Sequence, residues 1–111
     1  MQTVWSPAHI DVRSDRHDAV VVVLGGEIDV RSAPEIRSAL QAVIDAAPSS
    51  IVFDLRDVSR LDVAGLAAVT AAAMRSRRAS IEIMIVPPTA PAPRKLINRV
   101  GVVPILNRVV G

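Results

Sequence analysis

Residues Ile51-Val-Phe-Asp-Leu-Arg-Asp-Val-Ser-Arg-Leu-Asp-Val-Ala-Gly-Leu66 place a buried-strand pattern, a short polar loop and a helix start within sixteen positions. Ile51 to Phe53 is a β-branched and aromatic run closed by Asp54, the composition of a sheet interior. Asp62 then stands where a helix needs a side-chain acceptor for its first free N–H groups. The mouth of such a strand-to-helix connection is where folds of this kind present sites.

The 111 residues suffice for one core and fall short of two ordinary domains. Residues 1–8 carry no period and read as a lead-in, with Trp5 exposed or covering a core edge, and residues 9–111 as the domain. Half the residues are hydrophobic, but Trp5 and Phe53 are the only aromatics, so the core must be aliphatic. The longest apolar stretch, Ala19 to Leu24, is far short of the ~20 residues that span a bilayer. With no basic-then-apolar leader and no cysteine, the reading is a cytoplasmic chain without disulfides, thiolate catalysis or membrane insertion. The pI near 10.4 reflects twelve arginines, while the net charge is only +2. The cluster Arg75, Arg77, Arg78 has no interleaved aromatics and reads as cations complementing a helix C-terminus, so nucleic acid is not an expected partner.

His9 to Arg13 alternates as a half-buried strand with Ile10 and Val12 on its apolar side, and Ser14 to Asp18 is a turn. Ala19 to Leu24 runs apolar without alternation, predicting a central strand covered on both faces and punctuated by Gly25-Gly26. Ser32-Ala-Pro-Glu35 spells a capping box that opens a helix with Ile36, Leu40, Val43 and Ile44 on one stripe, ended by Pro48. Ser50 to Leu55 is the next strand. The helix after Asp62 carries Leu66, Val69, Ala73 and Met74 on one side, and its Thr70 is predicted to bond back to the helix backbone. Ser80 to Val86 is a further strand with Glu82 on its exposed face. Pro87, Pro88, Pro91 and Pro93 form an extended connection, and Arg94 to Val100 a short helix stopped by Gly101, with Val102, Val103, Ile105 and Leu106 beyond. The sum is a mixed, mostly parallel sheet of four to five strands with three to four helices.

Asp54-Leu55, a spacer, Leu61-Asp62, two small residues, Gly65 and an alanine-rich helix resemble the STAS domains, named for sulfate transporters and anti-sigma factor antagonists. Gly26-Glu-Ile-Asp29 and Leu96-Ile-Asn-Arg-Val-Gly101 match two further segments in the right order, and the resemblance covers roughly residues 9 to 107. It implies a module that binds an anti-sigma factor, often itself a serine kinase, and frees a sigma factor. Phosphorylation of the serine after the loop aspartate ends that binding in the family, because ~2 added charges oppose docking. Here that position is Val63, and Ala64 follows, so the acceptor hydroxyl is missing; Ser59 and Thr70 are the nearest hydroxyls. The partner surface implied comprises Asp29, Arg31, Ser59, Arg60, Asp62, Val63, Ala64 and Gly65. Topology supports it: the Gly25-Gly26 strand and the Phe53 strand should be parallel neighbours, so both exits meet at one end of the sheet.

Other chemistries are poorly supplied. His9 and His17 with Asp11 or Asp15 make at most a two-histidine spacing that arises by chance, so no metal is expected. Asp54 and Asp57 could suggest an acid and base, but a strand-end aspartate more often bonds the next loop's amides. No glycine-rich phosphate cradle is present, and neither a cofactor nor catalysis is expected. Two rival readings stand beside the antagonist: an accessory STAS subunit of a membrane lipid transporter, and a small-molecule or nucleotide sensor. A homodimer is a further expected assembly.

Overall fold

The computed structural model describes residues 7–14 and 18–100. Expectations for Trp5, for most of the lead-in and first turn, for His17 and for everything from Gly101 onward lie outside the described residues. The elements in chain order are β1 (His9–Ser14), β2 (Ala19–Ile28), α1 (Ala33–Asp45), β3 (Ser50–Leu61), α2 (Val63–Arg78), β4 (Glu82–Val86) and α3 (Pro91–Val100). They form a four-stranded sheet in the order β1-β2-β3-β4. β1 runs antiparallel to β2, and β2, β3 and β4 are mutually parallel. Both crossovers move the same way across the sheet, and their right-handedness puts α1 and α2 on one face.

That face is the core. Val20, Val22 and Leu24 of β2, Ile51, Phe53 and Leu55 of β3 and Ile83 of β4 pack with Ile36, Leu40, Val43 and Ile44 of α1 and Leu66, Val69 and Ala73 of α2. Phe53 is the one aromatic among the described residues and is buried, and its loss to Ala would cost about 3–5 kcal/mol. α2 presents Ala68, Ala72 and Ala73, all fully or nearly fully buried, and such small side chains let it lie close to its neighbours.

The core face departs from the sequence reading in four places. β2 is not covered on both faces: Val20, Val22 and Leu24 are buried while Val21 and Val23 are only half-buried, because α1 and α2 share one side. Val12 faces the core side opposite Val22 but stays 47% exposed, since β1 is the sheet edge. Met74 points away from the buried stripe of α2 and is exposed. Thr70 does not bond back; its Oγ1 has no hydrogen-bond partner among the described residues, and it is Ser76 Oγ that donates to Ala72 O at 2.8 Å.

The strands also run longer than their composition predicts. Gly25 and Gly26 do not end β2, which continues to Ile28 through two register shifts, and Gly26 adopts φ 77° there. A side chain at Gly25 would collide with the His9 imidazole, so the glycine makes room for it. β3 likewise continues to Leu61 without the expected polar loop, because Gly25 to Ile28 supply it with partners as far as Leu61. Its polar residues Arg56, Asp57, Ser59 and Arg60 are exposed while Val58 between them is buried.

The helix ends differ too. At α1 the Ser32 side chain makes no cap bond, since its hydroxyl is engaged with the backbone of Glu27 and Asp29 instead. Ser80 lies outside β4, at φ 63° in the turn that closes α2. Pro91 and Pro93 belong to the first turn of α3, where a missing N–H costs nothing.

Gly65 locks the α2 start onto the end of β2: a Cβ there would overlap the backbone carbonyl of Ile28. Gly65→Ala should therefore cost about 2 kcal/mol, or ~8 °C in melting temperature by circular dichroism, where an exposed Gly→Ala in a helix would stabilise.

Candidate functional site

β2 and β3 leave the sheet side by side, with Ile28 paired to Leu61, so the residues that follow meet at one end of the molecule. Asp62 joins them. Its backbone is extended, as an N-cap requires (φ −106°, ψ −179°), and Oδ1 accepts the Gly65 N–H at 2.8 Å. Oδ2 accepts the Val30 N–H at 3.0 Å, across 32 residues of sequence. The Asp62 N–H itself donates to Ile28 O at 3.2 Å. The convergence expected from parallel topology is thus present, and one carboxylate holds it.

The exit of β2 is a tight, charged turn. Asp29 Oδ1 accepts the Arg31 N–H at 2.9 Å, while the Arg31 guanidinium reaches Asp29 Oδ2 at 2.6 Å and Glu27 Oε1 at 3.1 Å. The Asp29 N–H donates to Ser32 Oγ at 3.0 Å, which is why that hydroxyl is not free to cap α1. Glu27 is buried, and a buried carboxylate is stable only when paired. The Arg31 side chain beside Asp29 holds the Asp29 carboxyl below its ordinary range. On β3, Asp54 makes the same kind of contact. Its carboxylate takes the Arg56 guanidinium in a forked pair at 2.7 and 3.0 Å and accepts the Arg56 N–H at 3.1 Å, so its carboxyl too is lowered.

Around Asp62 the sequence-predicted residues fall at different depths. Val63, in the first turn of α2, is 70% exposed. Arg60 and Ser59 are exposed on β3, and Arg60 has no ion-pair partner among the described residues. Asp29 and Ala64 are half-buried, Arg31 is exposed, and Gly65 is buried beneath them, where it serves packing. The sequence reading missed Val30, which is 67% exposed beside Asp62. A β-branched residue between charged neighbours in a connection was the available signal. The tip therefore presents two exposed valines on adjacent strand exits, flanked by Arg60 and by the Asp29–Arg31 pair.

Among the described residues no group of three or more His, Asp or Glu side chains could hold a metal ion. No helix among them is long and apolar enough to cross a membrane.

The chain belongs to the STAS domain family: the family model described as Mlab, STAS domain matches residues 11–106. Comparison with curated proteins finds no match. Among solved structures, the chain resembles an anti-sigma factor antagonist from Mycobacterium paratuberculosis at 25% identity and a TM-score of 0.80, over 94% of this chain and 92% of that one. It also resembles the anti-sigma factor antagonist SpoIIAA in its unphosphorylated form at 22% identity and a TM-score of 0.73, over 86% of this chain and 84% of that one. The phosphorylated form of SpoIIAA, a Bacillus cell fate determinant, superposes with a TM-score of 0.66 at 21% identity, over 86% of each chain. The last two likenesses speak for the fold alone.

Asp62→Ala removes an acceptor from both strand exits. It should cost about 2 kcal/mol in a denaturant melt, a cap contribution of ~1 plus a second hydrogen bond of ~1. Hydrogen exchange at the Val30 and Gly65 amides should quicken beyond that global loss. A cap with no role in joining the exits would leave Val30 unchanged.

Both lowered carboxyls, Asp29 and Asp54, bind fewer protons in the folded than in the unfolded chain. Their contribution to stability is present above the unfolded value near ~3.9 and is lost as pH falls through the lower folded values. Melting temperature should be flat from neutral pH to about 5 and fall below about 4, and Arg56→Gln should reduce the acid-side drop.

Proposed function

We propose that this chain is an anti-sigma factor antagonist-type module that sequesters an anti-sigma factor through the tip formed by the β2 and β3 exits, without control by serine phosphorylation at the usual position. The observation that carries the reading is the exposed Val30–Val63 pair held beside Asp62 and bordered by Arg60, which has no ion-pair partner among the described residues, and by the Asp29–Arg31 ion pair. An apolar centre with a charged rim is the composition of a protein-binding patch, and the rim charges would orient the partner. On this reading Asp29, Arg31, Arg60, Asp62, Val63 and Ala64 line or border the surface, with Gly65 supporting it from below, whereas Ser59 lines a separate hollow with His9, Gly26 and Asp57. Solved antagonists share the fold, one of them at 25% identity over nearly the whole chain.

Val63 and Ala64 carry no hydroxyl, so a kinase-type anti-sigma factor would find no acceptor where the family has one. Binding to such a partner would then be constitutive, ended by dissociation rather than by added charge.

The matching family model is described as Mlab and not as an antagonist, and that favours keeping a second reading, the accessory STAS subunit of a membrane lipid transporter. It uses the same tip with a different partner. Affinity capture from the native cell separates the two, since an anti-sigma factor and a transporter subunit are unrelated catches.

With the captured partner in hand, Val63→Glu and charge reversal at Asp29 or Arg60 should each weaken binding about tenfold or more at fixed salt. Reversal at Arg77 or Arg78, at the far end of α2, should change it less than about threefold. Equal losses at both ends, or loss confined to the arginines, would move the interface away from the tip. Incubation with kinase-type anti-sigma factors and ATP should leave the intact mass unchanged, and a phosphate mapped to residues 59–70 would contradict constitutive binding.

A further inference from the structure

β1 is an edge of the sheet, and among the described residues only β2 pairs with it. Its register fixes what each face of that edge carries. Val12 lies opposite Val22, on the core side, whereas Asp11 and Arg13 lie opposite Val23 and Val21, on the side away from α1 and α2. Val12 remains 47% exposed and borders an open apolar groove with Val20, Ala39, Ala42, Val43 and Ala46. The groove runs between the edge strand and α1. A strand whose outer edge has no partner among the described residues, flanked by open apolar surface, invites another strand.

The sequence of the edge selects the visitor. In antiparallel pairing, residues directly opposite share a face, and a two-fold axis perpendicular to the sheet keeps both core faces on one side. A register centred on Asp11 would oppose two carboxylates, and one centred on Arg13 two guanidinium groups, both unfavourable. Centring on Val12 instead sets Asp11 against Arg13 of the second copy, twice by symmetry, and Val12 against Val12. The same shift that complements the charges also closes the two grooves on each other.

We infer that two copies of this chain associate through their β1 edges, antiparallel about a two-fold axis at Val12, to make a continuous eight-stranded sheet. The Asp11–Arg13 ion pair within each strand, 2.7 Å long and exposed at both ends, exchanges for two pairs between copies. The interface is small, so the dissociation constant is expected on the order of 1–100 µM. This inference is independent of which protein binds at the β2 and β3 exits.

Sedimentation velocity on the whole chain over that concentration range tests it, with circular dichroism confirming that each variant is folded. The unaltered chain should pass from monomer to dimer. Asp11→Arg or Arg13→Asp alone should weaken self-association about tenfold or more, because each sets like charges opposite. An equimolar mixture of the Asp11→Arg and Arg13→Asp chains should associate again, and so should a chain carrying both substitutions. Val12→Lys should leave a monomer, and it carries the test together with the double substitution should a single charge variant fail to fold. A monomer at about 100 µM would overturn the inference and assign the Asp11–Arg13 pair to protecting the edge. Dimers indifferent to these substitutions, or folded single variants that fail to associate when mixed, would overturn it as well.

Discussion

The Asp62 carboxylate accepts one N–H from its own helix and one from a turn 32 residues earlier, and the tip of the molecule is organised around that pair of bonds. Neither donor has an alternative within regular structure. Gly65 N–H belongs to the first turn of α2, which has no preceding carbonyl to reach, and Val30 N–H lies past the last paired residue of β2. The bonds are short because α2 begins hard against the end of β2, and it can do so because Gly65 has no side chain to meet the Ile28 carbonyl. A cap, a glycine and a parallel strand pair thus act as one unit.

What that unit displays follows from what it consumes. Asp62 is turned inward on two amides, so it holds the surface more than it offers itself to a partner. Asp29 and Arg31 are likewise satisfied largely by each other and by Glu27. Val30, Val63 and Arg60 also point outward, beside the exposed Arg31 side chain. Two exposed valines on a rigid turn lose little conformational freedom on being covered, since β-branched side chains have few rotamers to lose. Val63, 70% exposed, and Val30, 67% exposed, therefore make the tip an apolar surface that can be covered at small entropic cost.

The rest of the domain is a support with uneven sides. Three successive parallel strands and two helices bury one face of the sheet in an aliphatic core around Phe53, and leave Val21, Val23 and Val52 half-covered on the other. β1 closes one side only partly, with Val12 47% exposed along an open groove it shares with Ala39, Ala42 and Val43 of α1 and with Ala46 at the C-cap of that helix. The same right-handed connectivity that gathers the strand exits at one end thereby leaves an edge and a face with less cover.

Local chemistry was legible in the sequence wherever a residue's role is set by its neighbours in the chain. The strand at Ile51 to Phe53, the N-cap at Asp62, the apolar stripe of α1 and the family resemblance carried by Asp54 to Gly65 could all be read directly, and from them the parallel pairing that brings Asp29 and Asp62 together. Element ends were not, because they depend on a partner: Gly25-Gly26 and Arg56 to Arg60 look like breaks in isolation and are strand only because each gives the other a ladder to join. The Ser32 capping box failed for a related reason, its hydroxyl being taken by Glu27 and Asp29 backbone that the turn folds against it. Exposure of Val12, Val30 and Met74 was decided by which surfaces α1 and α2 happen to cover. Sequence determined which groups could bond and bury; tertiary structure alone decided which found partners and which were left exposed.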